Sequence, residues 1–174
     1  MQNLTRILGI VLIERTEKRV IANYNENGSL KEFKTQREFE QMAVKVLNAN
    51  YDTETEEVAM FLLTNKLVMA KTYSDFFVIV FSENSENEMV LYQLLDILTI
   101  TMFSFFQKDL NLKGVYSHYQ EVVLMLNESF SNGLILTLTH EDLLARVILS
   151  KHRKGKAVTA SSSKGGVMGF LGFS

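Results

Sequence analysis

The chain has 174 residues and a net charge of −2, a length that fits one domain with or without a tail. It contains no Cys, Pro or Trp, which excludes disulfides, thiolate zinc sites, cysteine nucleophiles and a Pro-rich linker. Its three histidines (His118, His140, His152) are far apart in sequence and argue against a His-based metal centre, while 47% hydrophobic residues suffice for a core.

Charge divides the chain in two. Five of its 18 basic residues (Lys151, Arg153, Lys154, Lys156, Lys164) lie at 151–174, which holds no acid. The other 13 face all 20 acids, so residues 1–150 stand at −7 and residues 151–174 at +5. This predicts a domain over 1–150 and a basic, Ser/Gly-rich, disordered tail over 151–174. The tail ends in Val167-Met168-Gly169-Phe170-Leu171-Gly172-Phe173, an apolar run on a basic segment that also fits docking near a negative surface.

Residues 4–13 read as a central strand, apolar on both faces, with Leu4, Leu8, Ile10 and Leu12 on one side and Ile7, Val11 and Ile13 on the other. A short connection leads to a second strand over 18–24, hence an antiparallel hairpin. Residues 35–48 read as a helix in which Phe39, Met42, Ala43, Val46 and Leu47 recur at helical spacing; Thr35 and Glu38 have the spacing of a capping box. Three strands follow at 58–63, 67–73 and 76–81, joined by short turns into a meander. Ser85 with Glu88 suggests the start of a long helix running to about Leu110, apolar around most of its girth and so in need of cover on more than one side. A second helix is expected over 116–130, closed by Asn132-Gly133 as a C-cap, then an extended piece at 134–139 and a last helix at 143–149 capped by the stretch Thr139-His140-Glu141-Asp142. The membrane-like stretch at 89–106 contains Gln93 and Asp96 and reads as a buried helix rather than a span.

The order β-β-α-β-β-β-α-α predicts an α+β fold, a five-stranded antiparallel sheet flanked by helices. Catalytic patterns are missing: there is no phosphate-binding glycine loop, no H-E-x-x-H and no G-x-S-x-G. His140-Glu141-Asp142 reads as helix-capping sequence, and Asp52, Glu54, Glu56 and Glu57 as a solvated acidic loop without calcium-loop spacing. The acidic body argues against nucleic acid as a partner. We therefore expect no enzyme, no cofactor, no metal and no small-molecule substrate. The excess of apolar residues points instead to a permanent protein interface, with Phe76, Phe77, Leu95, Met102, Phe105, Phe106, Tyr116 and Tyr119 as candidates.

Arg6-Ile7-Leu8-Gly9-Ile10-Val11-Leu12 leads into Arg19-Val20-Ile21-Ala22-Asn23-Tyr24. Phe76-Phe77-Val78-Ile79-Val80 precedes Ser85-Glu86-Asn87-Glu88 and the apolar helix, and Leu126-Asn127-Glu128 with Asn132-Gly133-Leu134-Ile135-Leu136 closes on Leu143-Leu144-Ala145-Arg146-Val147. In this order over residues 4–149 the chain resembles the longin-fold small subunits of vesicle coats, and within them the coatomer zeta subunits. The resemblance implies a non-catalytic coat subunit, cytoplasmic and peripheral on Golgi membranes and coated vesicles. Its partners would be the N-terminal helical solenoid of a gamma-type coatomer subunit, the other coatomer chains and, indirectly, an Arf-type GTPase. The function implied is Golgi-to-ER and intra-Golgi transport. A sigma-like adaptor chain or a longin-type tethering module is the alternative. In adaptor sigma chains an apolar pocket beside the long helix takes dileucine cargo signals. Asp109, Leu110, Lys113 and Val115 fall in that neighbourhood, with Lys113 where the pocket has an apolar residue.

Overall fold

The computed structural model describes residues 7–16, 20–25, 33–51, 58–106 and 110–150. The segment 151–174, residues 4–6 of the first expected strand, the acidic stretch at 52–57 and Asp109 lie outside these residues. Strands β1 (Ile7–Glu14), β2 (Val20–Asn25), β3 (Val58–Leu63), β4 (Lys66–Thr72) and β5 (Phe76–Glu83) form one antiparallel sheet in the order β2-β1-β5-β4-β3. Helix α1 (Phe33–Asn50) covers one face. Helices α2 (Glu88–Phe105), α3 (Leu112–Ser117), α4 (Tyr119–Ser129) and α5 (140–150) cover the other. A two-stranded ribbon, β6 (Phe130–Ser131) with β7 (Leu134–Ile135), joins α4 to the last helix.

The centre of the sheet is apolar on both sides, as the unbroken hydrophobic runs of β1 and β5 require. Ile7, Ile10, Leu12, Phe76, Val78 and Val80 face α2 and α4; Leu8, Val11, Ile13, Phe77, Ile79 and Phe81 face α1. The expected alternation along β1 thus holds from Ile10 onward but is reversed for Ile7 and Leu8. The β1–β5 register shifts between Ile7 and Gly9, and one irregular residue moves the preceding side chains to the opposite face.

Turn and cap residues set the element ends. Thr64 and Asn65 both have positive φ (46° and 61°), so the β3–β4 turn lies one residue earlier than expected; Asn84 Nδ2 donates to Asn65 Oδ1 at 2.6 Å and holds it. Helix α1 begins at Phe33, which leaves Thr35 inside the first turn rather than capping it. Helix α2 is capped by Asn87, whose Oδ1 accepts from the Met89 N–H at 2.9 Å, and not by Ser85. It also stops at Phe105, about a turn before the expected end.

The region read as a break at Gly114 is the short helix α3. Asn111 Oδ1 accepts from Gly114 N–H at 2.8 Å, and Asp75 Oδ2 accepts from Leu112 N–H at 2.7 Å. The Asp75 carbonyl also accepts from Arg15 N–H at 2.9 Å, so the β4–β5 turn clamps the end of β1 and the start of α3. Asn132 (φ 52°) and Gly133 (φ 77°) form the tight turn between β6 and β7, not a helix C-cap. Thr139 does cap the last helix, its Oγ1 accepting from Asp142 N–H at 3.2 Å.

Helix α2 is long and apolar enough to cross a membrane by composition alone. Here Leu91, Leu94, Leu95, Leu98 and Met102 lie against the sheet with at most 1% exposure, so it is the core helix of this layer.

Helix α1 carries one misfit, Glu40, only 4% exposed. Burial pushes its carboxyl above the usual carboxylate range, partly offset by a hydrogen bond from Gln36 Nε2 at 2.8 Å and by the Arg37 charge. The folded chain therefore holds the Glu40 proton more tightly than the unfolded chain does. Stability falls as pH rises from the ordinary glutamate value of about 4.3 toward the raised folded one.

Two outcomes follow from this packing. Phe81 is fully buried with its ring 5.0 Å from that of Phe39; Phe81→Ala should cost about 3–5 kcal/mol and lower the melting temperature by about 6–20 °C, whereas Met42→Ala on the exposed side of α1 should move it little. Glu40→Gln should raise the melting temperature at pH 7 and lose that advantage near pH 4, as read by thermal denaturation followed by circular dichroism.

Candidate partner interface

The eight interface candidates separate by layer. Phe76, Phe77 and Leu95 are fully buried, Met102 is 1% exposed and Phe106 6%. These five are buried within the domain, where they hold the helices to the sheet. Tyr73 stacks on Phe76 at 4.8 Å, and the Arg15 guanidinium lies 5.8 Å from the Phe77 ring centre. Phe105 is half-buried. Its ring meets Phe106 edge-on at 5.7 Å and His118 at 5.5 Å, and His118 also lies 5.4 Å from Phe106. His118 therefore fills the α3–α4 junction as an aromatic.

Only Tyr116 and Tyr119 remain open, at 42% and 44% exposure. They flank the same junction, Tyr116 on α3 and Tyr119 opening α4. Their phenols combine a large apolar body with a hydroxyl, the type of side chain that interfaces favour.

The pocket neighbourhood does not assemble as one apolar surface among the described residues. Leu110 is half-buried against the core, Val115 is fully buried, and Lys113 points into water from α3. His140 Nε2 lies 3.2 Å from Glu141 Oε1 at the start of α5, on an exposed helix end beside the Thr139 cap. No group of three or more His, Asp or Glu among the described residues stands close enough to hold a metal ion.

Three exposed apolar groups lie outside the eight candidates, and only the one on α2 was foreshadowed by the apolar girth of that helix. Leu134, Leu136 and Leu138 project along and beyond β7, and Leu138 is 68% exposed. Their alternation is visible in the sequence, but their exposure is not. Met60 and Leu62 stand out from the edge strand β3 on the α2 side of the sheet, since Ala59, Phe61 and Leu63 take the α1 side. Met89, Tyr92, Ile100 and Phe103 face outward from α2. The sheet has helices on both faces, and among the described residues none of these side chains is buried in either core layer. Exposed apolar side chains mark interaction sites where they gather into a patch.

Comparison with known proteins agrees with this reading of a helix-covered sheet. The chain is 23% identical to coatomer subunit zeta of Saccharomyces cerevisiae over 180 aligned positions, which span 98% of this chain and 91% of that one. Its fold superimposes with a TM-score of 0.61 and 11% identity on a chain of a homology model of the full-length AP-3 complex, covering 92% of this chain and 99% of the other. The family model for the clathrin adaptor complex small chain matches residues 6–154, most of the molecule, and the chain belongs to that family.

Proposed function

We propose that this small chain is the zeta-type subunit of coatomer. It packs on the N-terminal helical solenoid of a gamma-type large subunit, sits with the other coatomer chains on the cytoplasmic side of Golgi membranes through an Arf-type GTPase, and supports Golgi-to-ER and intra-Golgi transport without catalysing a reaction. Similarity to a coatomer zeta chain over nearly the full length of both supports the zeta assignment over a sigma-type one. The exposed Lys113, where a dileucine pocket would need an apolar residue, also favours it.

One observation supports the partner requirement: Tyr116, Tyr119 and the leucines on and beyond β7 are exposed among the described residues although both sheet faces are filled. Tyr116 and Tyr119 at the α3–α4 junction are the surviving partner-facing candidates, with the half-buried Phe105 behind them. Burying two such phenols against a helical partner gives the aromatic anchors on which interface energies concentrate.

Coexpression with a gamma-type solenoid tests this. The wild-type chain should copurify with the large subunit in a stable complex. Tyr116→Asp with Tyr119→Asp should weaken that complex by about 30-fold or more while leaving the melting temperature of the isolated chain within a few degrees, because both residues are surface-exposed. A wild-type chain that does not copurify, or a double variant that binds as well as wild type, contradicts the assignment of this surface.

A further inference from the structure

Helix α2 presents an outward face that its own sheet cannot cover. At about 100° per residue, Met89, Tyr92, Ile100 and Phe103 fall within one arc of about 80° around the helix, with Asp96 among them. All four apolar residues are at least 37% exposed. The helix contains no Lys or Arg; it carries Glu88 and Asp96, and Glu86 lies just before it. None of these three acids is ion-paired among the described residues. Among the described residues the face is therefore an apolar stripe beside acids that have no basic partner.

The sequence contains the complement. Residues 151–174 carry five cations and no acid, then the apolar run from Val167 to Phe173. They follow directly on α5, which packs beside α2: Thr101 Oγ1, which donates to the Ile97 carbonyl at 2.7 Å, lies 3.4 Å from the His140 carbonyl oxygen, and Leu143 and Val147 are buried in the same layer. Helix α2 is about 27 Å long and α5 about 16 Å. The 17 residues from Ser150 to Val167 reach up to about 56 Å when extended, enough to bring the apolar run to any point on the stripe. The acids on the stripe disfavour the two other simple occupants, an anionic membrane and a second copy of the same face, because each brings like charge to like.

We propose that residues 151–174 dock on the outward face of α2, their cations against Glu86, Glu88 and Asp96 and their apolar end against Tyr92 and Phe103. The segment is then an intramolecular cover for a surface that would otherwise stand in water. This inference stands on charge, reach and exposure, and does not depend on the coatomer assignment.

Zero-length carbodiimide crosslinking of the full chain at low concentration, mapped by mass spectrometry, tests it. The expected products are intramolecular links from Lys154, Lys156 or Lys164 to Glu86, Glu88 or Asp96, exceeding links to other acids such as Glu38 or Glu141. Tyr92→Asp with Phe103→Asp should cut their yield at least about fivefold, with circular dichroism showing the variant folded; Asp96→Lys serves in its place if the double variant is not. The proposal is overturned by links spread evenly over the acids of the body, by links found only between chains, or by an unchanged yield in the folded variant. It is equally overturned if the lysines give no α2 links while the segment binds phosphatidylserine vesicles.

Discussion

The antiparallel pairing of β1 with β5 at the middle of the sheet is the constraint on which the other elements depend. The two strands contribute apolar side chains to both faces along almost their whole paired length. Each buried Ile, Val or Phe there is worth roughly 1.5–3 kcal/mol only if something covers it. Helix α1 must therefore cross one face and the second half of the chain must cover the other. The clamp at Asp75 adds direction, since one turn residue holds both the exit of β1 and the entry of α3. Strands β2, β4 and β3 extend the sheet outward, where the demand for cover falls and β3 leaves Met60 and Leu62 in water.

The sheet was legible in the sequence because its signals are local. Hydrophobic runs bounded by short polar turns mark strands, and helical spacing marks α1 and α2 without reference to the rest of the chain. Helix starts were harder. Ser85 and Thr35 have capping-box spacing, but Asn87 and Asn111 supply cap hydrogen bonds for α2 and α3. Every such candidate can cap, and which one does is settled by where the preceding strand or turn leaves the chain. The facing of Ile7 and Leu8 was illegible for a related reason, because a one-residue irregularity at Gly9 leaves no compositional trace.

The candidate interface was the least legible part. Phe76, Phe77, Leu95, Met102 and Phe106 are chemically suited to an interface and to a core alike, and only the topology decides between them. It puts Phe76 and Phe77 on adjacent positions of a central strand, one into each layer, and leaves no part of either outside. Tyr116 and Tyr119 differ because they flank the α3–α4 corner, where the chain turns away from the sheet. The charge pattern was legible as arithmetic but not as geometry. Helical spacing alone gathers Met89, Tyr92, Asp96, Ile100 and Phe103 on one side of α2, but that this side faces outward is settled only once the helix is laid on the sheet.

What emerges is a domain that satisfies its interior and leaves its exterior unfinished, as befits a small chain of an adaptor-type coat family. The physical basis of that description is that β1 and β5, covered on both faces, form the most stable part, and that the outer elements depend on them. Hydrogen exchange of the full chain, followed by mass spectrometry, tests this most directly. The account predicts that the amides of β1 and β5 exchange slowest, through global unfolding alone, with those of β3 and α3 exchanging well before them. Exchange of β1 and β5 as fast as the edge strand would contradict it.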